Sequence, residues 1–89
     1  MLRKDFIIQN KVGLHARPAA ILAQTANKFK SSIFVEKDGR KVSAKGIIGV
    51  LSLGVEMGSA LSFEIEGEDE EEAMKTVSEL IAGRFGDEE

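Results

Sequence analysis

Ser32-Ile33-Phe34-Val35-Glu36-Lys37-Asp38-Gly39-Arg40-Lys41-Val42-Ser43 is the stretch that decides the fold. Two short runs of strand-forming residues flank an Asp-Gly pair. A type I′ turn needs positive φ at both central residues, and Asp-Gly accepts that conformation, so the stretch predicts a tight β-hairpin. Toward the C-terminus, Leu61-Ser62-Phe63-Glu64-Ile65-Glu66 alternates apolar and polar without a break. That is a strand with one buried face and one facing water, as antiparallel sheets allow. Toward the N-terminus, Lys4 to Gln9 is short and apolar at its centre, and Asn10-Lys11-Val12-Gly13 stops it. It predicts a further strand.

The segments between follow a helical period. From Ala16 to about Phe29, Ala19, Leu22, Ala26 and Phe29 fall on one face, and Pro18 suits a first turn because its missing N–H costs nothing there. Lys28 and Lys30 read as solvating cations at the end of that helix. Ile47 to Leu53, bracketed by Gly46 and Gly54, predicts a short second helix. After Gly67, Asp69 with Glu72 forms a capping pair for a third helix whose first turn holds Glu70, Glu71 and Glu72. Ala73, Val77 and Leu80, with Met74 and Ile81, form its buried stripe, and Gly83 to Glu89 reads as a frayed polar tail. The order is β-α-β-β-α-β-α, an α+β layer with helices on one face of an antiparallel sheet.

Eighty-nine residues hold one core, so residues 1–89 are read as a single domain. At 43% hydrophobic and 30% charged the chain should fold on its own. It has no cysteine and one histidine, which exclude disulfides, a thiolate zinc site and a multi-histidine metal site. With no apolar run near the roughly 20 residues of a membrane span and no signal-peptide pattern, a cytoplasmic protein is expected. The formal charge of −3 argues against general nucleic-acid binding. It hides an asymmetry: residues 1–45 hold ten Lys/Arg against three Asp/Glu, and residues 46–89 two against twelve. A basic face for an acidic partner or a phosphate would follow, or simply a solvated acidic helix and tail.

Chemistry concentrates at Leu14-His15-Ala16-Arg17-Pro18-Ala19. A histidine just ahead of a helix lies against unpaired amides and the positive end of the dipole. Such a position favours a neutral, nucleophilic imidazole and offers an anion site, onto which Arg17 can fork. The same pattern also suits a surface or capping histidine, so the local residues leave both readings open. The glycine-rich run 46–54 has neither the lysine of a P-loop nor dinucleotide spacing, and Glu68 to Glu72 lacks calcium-loop spacing. On a helical wheel Ile47, Ile48 and Leu51 share a face that a short surface helix leaves exposed, whereas Val50 and Leu53 turn to the core. An exposed apolar patch marks a docking surface.

Gly13-Leu14-His15-Ala16-Arg17-Pro18-Ala19 resembles the phosphohistidine signature of the HPr family, phosphocarriers of the bacterial phosphotransferase system. The resemblance extends over nearly the whole chain, through the Asp38-Gly39 hairpin and the second motif at 47–54. It implies an open-faced β-sandwich: a four-stranded antiparallel sheet with three helices on one face. It further implies that His15 takes a phosphoryl group on Nδ1 from phosphorylated Enzyme I and passes it to an enzyme IIA domain for sugar uptake. Arg17 would stabilise the transferring group, the amides of Ala16 and Arg17 would hold the phosphate, and Ile47, Ile48 and Leu51 would dock the partner beside His15. The protein would act as a relay carrier rather than a stand-alone enzyme, as a monomer without metal or cofactor. It would meet permeases only through enzyme IIA. Many Gram-positive members carry a regulatory serine where this chain has Gly46, which puts that control in doubt. A nitrogen-branch regulatory phosphocarrier is the alternative; a pure adaptor or a histidine phosphatase would be the reading from another class.

Overall fold

The computed structural model describes residues 1–86. The chain runs β1 (Leu2–Ile7), α1 (Ala16–Ala26), β2 (Ser32–Lys37), β3 (Arg40–Ser43), α2 (Ile47–Leu51), β4 (Ala60–Glu66) and α3 (Glu70–Ala82). A short 3₁₀ turn over Arg84–Gly86 follows. The four strands form one antiparallel sheet in the order β1-β4-β2-β3. No helix among the described residues is long and apolar enough to cross a membrane.

The hairpin forms as the Asp-Gly pair predicts, with Asp38 at φ 52° and Gly39 at φ 80°. Alternation then sorts the sheet into two faces. Ile33, Val35, Leu61, Phe63 and Ile65 are buried and meet Leu22, Ala26, Ala73, Val77 and Ile81 in one core. On the uncovered face Glu64 accepts from Arg3 Nη1 at 2.6 Å and from Lys41 Nζ at 3.1 Å, and Ser62 donates to Asp5 at 2.6 Å. Because the acidic β4 lies between the basic β1 and a neutral β2, with the basic β3 beyond, the charge asymmetry of the sequence is interleaved on this face rather than split into two.

Three boundaries differ from expectation. Strand β1 begins at Leu2 and stops at Ile7, because its register on β4 runs from Leu2↔Ile65 to Ile7↔Ala60. Ile8 then turns into the core, with its amide on the Ser59 carbonyl. Helix α1 ends at Ala26, where Asn27 Nδ2 donates to the carbonyls of Ala23 and Lys45. Lys30 therefore lies beyond the helix and pairs with Glu68. Helix α2 ends at Leu51 rather than Leu53, with Ser52 as its C-cap.

Two readings near the C-terminus are corrected. Asp69 precedes α3 but makes no side-chain cap bond and does not pair with Glu72. Its carboxylate accepts from the amides of Lys30 and Ser31, each at 2.9 Å, and from the Ser31 hydroxyl. The reciprocal bond at the helix start comes from Glu70, which accepts the Gly67 amide at 3.1 Å. The expected polar tail is in part core. Phe85 is 2% exposed and packs among the helices, reached through left-handed backbone at Arg84 and Phe85. Burying a phenylalanine contributes about 2–3 kcal/mol, which offsets strain of the same order in such φ values. Residues 87–89 of that tail lie outside the described residues.

Candidate functional site

His15 stands where the sequence places it, as the N-cap of α1 with extended backbone (φ −81°, ψ −169°). Its carbonyl accepts the Ala19 amide at 2.9 Å, the first intrahelical bond. Its side chain is exposed and makes no capping bond. Pro18 has no amide to offer, so the donors left at this helix start are the N–H groups of Ala16 and Arg17. Both residues are exposed, and α1 has no acidic residue in its first turn. Arg17 forms no ion pair among the described residues, unlike Arg3. A nucleophilic ring, two outward amides and an unspent guanidinium therefore share one helix turn, an arrangement suited to a small, multiply charged anion.

What holds this turn is a loop that motif reading does not identify. Asn10 is 1% exposed, and its Nδ2 donates to the Gly13 carbonyl at 2.6 Å while its own carbonyl accepts the Gly13 amide at 3.1 Å. The Leu14 amide then donates to the Val55 carbonyl at 3.1 Å. Gly13 has φ +64°, and a Cβ there would overlap the Val55 carbonyl oxygen, so no other residue fits. The threshold of α1 is thus fastened to the segment that follows α2. The usable signal was the pair of turn formers Asn10 and Gly13; the partner at Val55 is forty-odd residues away and has no local signature.

Helix α2 packs on α1, which brings the second motif to this side of the molecule. Ile48 is 76% exposed and Leu51 is 37% exposed, while Val50 and Leu53 are buried, as the helical wheel assigns them. Ile47 departs from expectation. It is half-buried and packs against the core, because the first turn of α2 faces the C-terminal half of α1. There it lines a shallow groove of about 430 Å³ with Ala20, Ala23, Gln24, Asn27 and Lys45. The exposed patch is therefore Ile48 and Leu51, with Ile47 as its inner wall. A larger depression, of about 790 Å³, lies elsewhere, at the acidic start of α3 between Gly67 and Lys75. Its carboxylates are in part already bonded, and no histidine approaches it. Among the described residues no group of three His, Asp or Glu side chains is placed to hold a metal ion.

The chain is similar to known proteins in both sequence and fold. Residues 2–83 match the family model "PTS HPr component phosphorylation site". The chain is 47% identical over 87 residues to the phosphocarrier protein HPr of Cupriavidus necator, covering 98% of each. It is 48% identical over 81 residues to the HPr-like protein Crh of Halalkalibacterium halodurans, covering 91% of this chain and 96% of that one. The structure of HPr-C-His from Thermoanaerobacter tengcongensis superposes with a TM-score of 0.96 at 53% identity over the full length of both chains. A structure of an HPr dimer from that organism gives 0.79 at 55% identity, covering 92% of this chain and 94% of that one. The open sheet with its helical layer is the fold of these proteins, and the chain belongs to the HPr phosphocarrier family of the phosphotransferase system.

Proposed function

We propose that this chain carries a phosphoryl group on His15 between phosphorylated Enzyme I and an enzyme IIA domain serving sugar uptake in the cytoplasm. The observation that carries the reading is the open start of α1: an exposed N-cap histidine with no capping bond and no acid in the first turn. In the transfer a lone pair of the imidazole, on Nδ1 by family resemblance, forms a P–N bond as the donor's bond to phosphorus breaks. The electron pair stays with the donor. Because such transfer is largely dissociative, positioning and charge stabilisation supply most of the effect. The amides of Ala16 and Arg17 and the Arg17 guanidinium meet the equatorial oxygens. Handing the group on reverses these steps, so the protein is a carrier and needs no metal or cofactor of its own.

Ile48 and Leu51 give the partner an apolar surface, with Ile47 supporting it from within. Gly46 carries no hydroxyl at the start of α2, so an ATP-dependent serine kinase has no acceptor there. The carrier works as a monomer in this reading; a dimeric species in light scattering would count against that part.

Incubation with Enzyme I and phosphoenolpyruvate tests the reading. One acid-labile, base-stable phosphoryl group should appear, and His15→Ala should remove it. Continued labelling of His15→Ala would overturn the assignment. Transfer onward to sugar-specific enzyme IIA supports the transport role, whereas transfer only to a nitrogen-branch acceptor replaces it with the regulatory one.

A further inference from the structure

Helix α2 has five residues, far below the length at which a helix persists by itself in water. Its last carbonyls need donors from elsewhere. They come from the turn over Ser52 to Gly54, and that turn's own carbonyls are held from the two sides of the hairpin turn. Arg40 Nη1 donates to the Ser52 carbonyl at 2.8 Å and Nη2 to the Ser52 hydroxyl oxygen at 3.1 Å. Lys37 Nζ donates to the carbonyls of Leu53 at 3.3 Å and Gly54 at 3.1 Å. The Ser52 hydroxyl in turn donates to the Gly49 carbonyl at 2.6 Å. With the amides of Ser52, Leu53 and Gly54 on Ile48, Val50 and Leu51, every carbonyl from Ile48 to Gly54 has a donor. The next carbonyl, Val55, holds the Leu14 amide beside His15. Cationic side chains at a helix C-terminus also complement its dipole.

We infer that Lys37 and Arg40 are positioning residues for phosphoryl transfer: from the hairpin they clamp the C-terminal end of α2, setting the docking surface of Ile48 and Leu51 relative to the His15 turn. The inference rests on the docking role assigned to α2 above. Neither residue touches the phosphoryl group, so the clamp acts on partner capture and not on chemistry at the imidazole.

Lys37→Met and Arg40→Met keep the aliphatic stems and remove the donors. In the double variant, amide exchange at Ser52, Leu53 and Gly54 should quicken at least tenfold, with Leu61, Phe63 and Ile65 of β4 unchanged. Its KM as a substrate of Enzyme I should rise about tenfold at a kcat within twofold, and Lys37→Arg alone should keep the wild-type KM. In an Ile48→Ala background the same double variant should add little further loss. Unchanged exchange at Ser52, Leu53 and Gly54 would overturn the clamp whether or not the chain is phosphorylated. Full additivity with Ile48→Ala would show that Lys37 and Arg40 meet the partner directly, and would overturn it as well. A wild-type chain that accepts nothing from Enzyme I would instead remove the carrier reading, leaving the exchange result to decide the clamp.

Discussion

The first turn of α3 is filled from within the chain, whereas the first turn of α1 is left open. At α3, Glu70, Glu71 and Glu72 complement the dipole, and Glu70 accepts both the Gly67 amide and the N-terminal ammonium of Met1. Asp69 beside them accepts three donors from the segment that enters β2. At α1 the corresponding positions hold His15, Ala16, Arg17 and Pro18, none of which is anionic. One helix start is tied into the fold, and the other is left open. Leaving the first turn of α1 without an acid forgoes the dipole stabilisation that Glu70, Glu71 and Glu72 give α3.

The largest expected effects come from exchanging what the two starts do. His15→Ala should abolish phosphoryl acceptance while the melting temperature stays put, because exposed side chains are worth within about ±0.5 kcal/mol. Asp69→Ala should do the reverse, lowering the melting temperature while acceptance at His15 persists; parallel calorimetry and phosphorylation assays read both. Loss of acceptance in Asp69→Ala at a temperature where it is folded would break the comparison. Arg17→Ala should slow transfer by roughly 10²-fold, as removal of a positioned donor does, with the fold intact. Stopped-flow transfer from Enzyme I measures it.

Giving α1 the acid that α3 already has should close its open end. Ala16→Glu should stabilise the helix by about 0.3–1 kcal/mol and cut the acceptance rate about tenfold, since the new carboxylate meets the incoming anion. Denaturant unfolding and rapid-quench labelling test the two signs separately. Acid should separate the starts further. Hydrogen bonds from the Ser31 hydroxyl and then the Lys30 amide lower the Asp69 pKa from 3.8 to about 2. Glu70 is lowered too, first by the Gly67 amide. A carboxyl depressed in the folded state adds stability in full above its unfolded pKa and loses it as pH falls through the folded one. Stability should therefore fall between about pH 4 and pH 2, and Asp69→Asn should flatten that slope in pH-dependent unfolding curves.

The smallest effect concerns the third helix start, at α2. Gly46 has ordinary extended backbone, and a Cβ there would meet nothing nearer than the Ser43 carbonyl at 4.0 Å. Gly46→Ser should fit and stabilise by a few tenths of a kcal/mol as a better cap. Mass spectrometry after incubation with the family's serine kinase should find phosphoserine in that variant and none in the parent chain.

What could be read in advance was local. Asp38-Gly39 specifies its own turn, Leu61 to Glu66 alternates on its own, and His15 with Arg17 sits in a contiguous signature. What escaped depends on residues far apart in the chain. Asp69 resembles a cap in sequence, yet its partners are 38 and 39 residues away. Phe85 is a lone aromatic between Arg84 and Gly86, with no period to mark it as core. Ile47 shares a wheel face with Ile48, but α1 lies against only one of them. The cations that end α2 belong to a hairpin identified for its turn alone.

The strand order β1-β4-β2-β3 has a consequence for the making of the molecule. Leu2 pairs with Ile65, so the first strand to be synthesised has no native neighbour until the last strand has been made. The β2–β3 hairpin, by contrast, pairs across two residues and can close while the chain is still growing. A growing chain therefore carries an unpartnered β1 until β4 has been made, and the long sequence separation of β1 and β4 puts the sheet among slower, non-local foldings. Lys4 and Asp5 within β1 place charge on that waiting strand, which discourages pairing with the wrong chain.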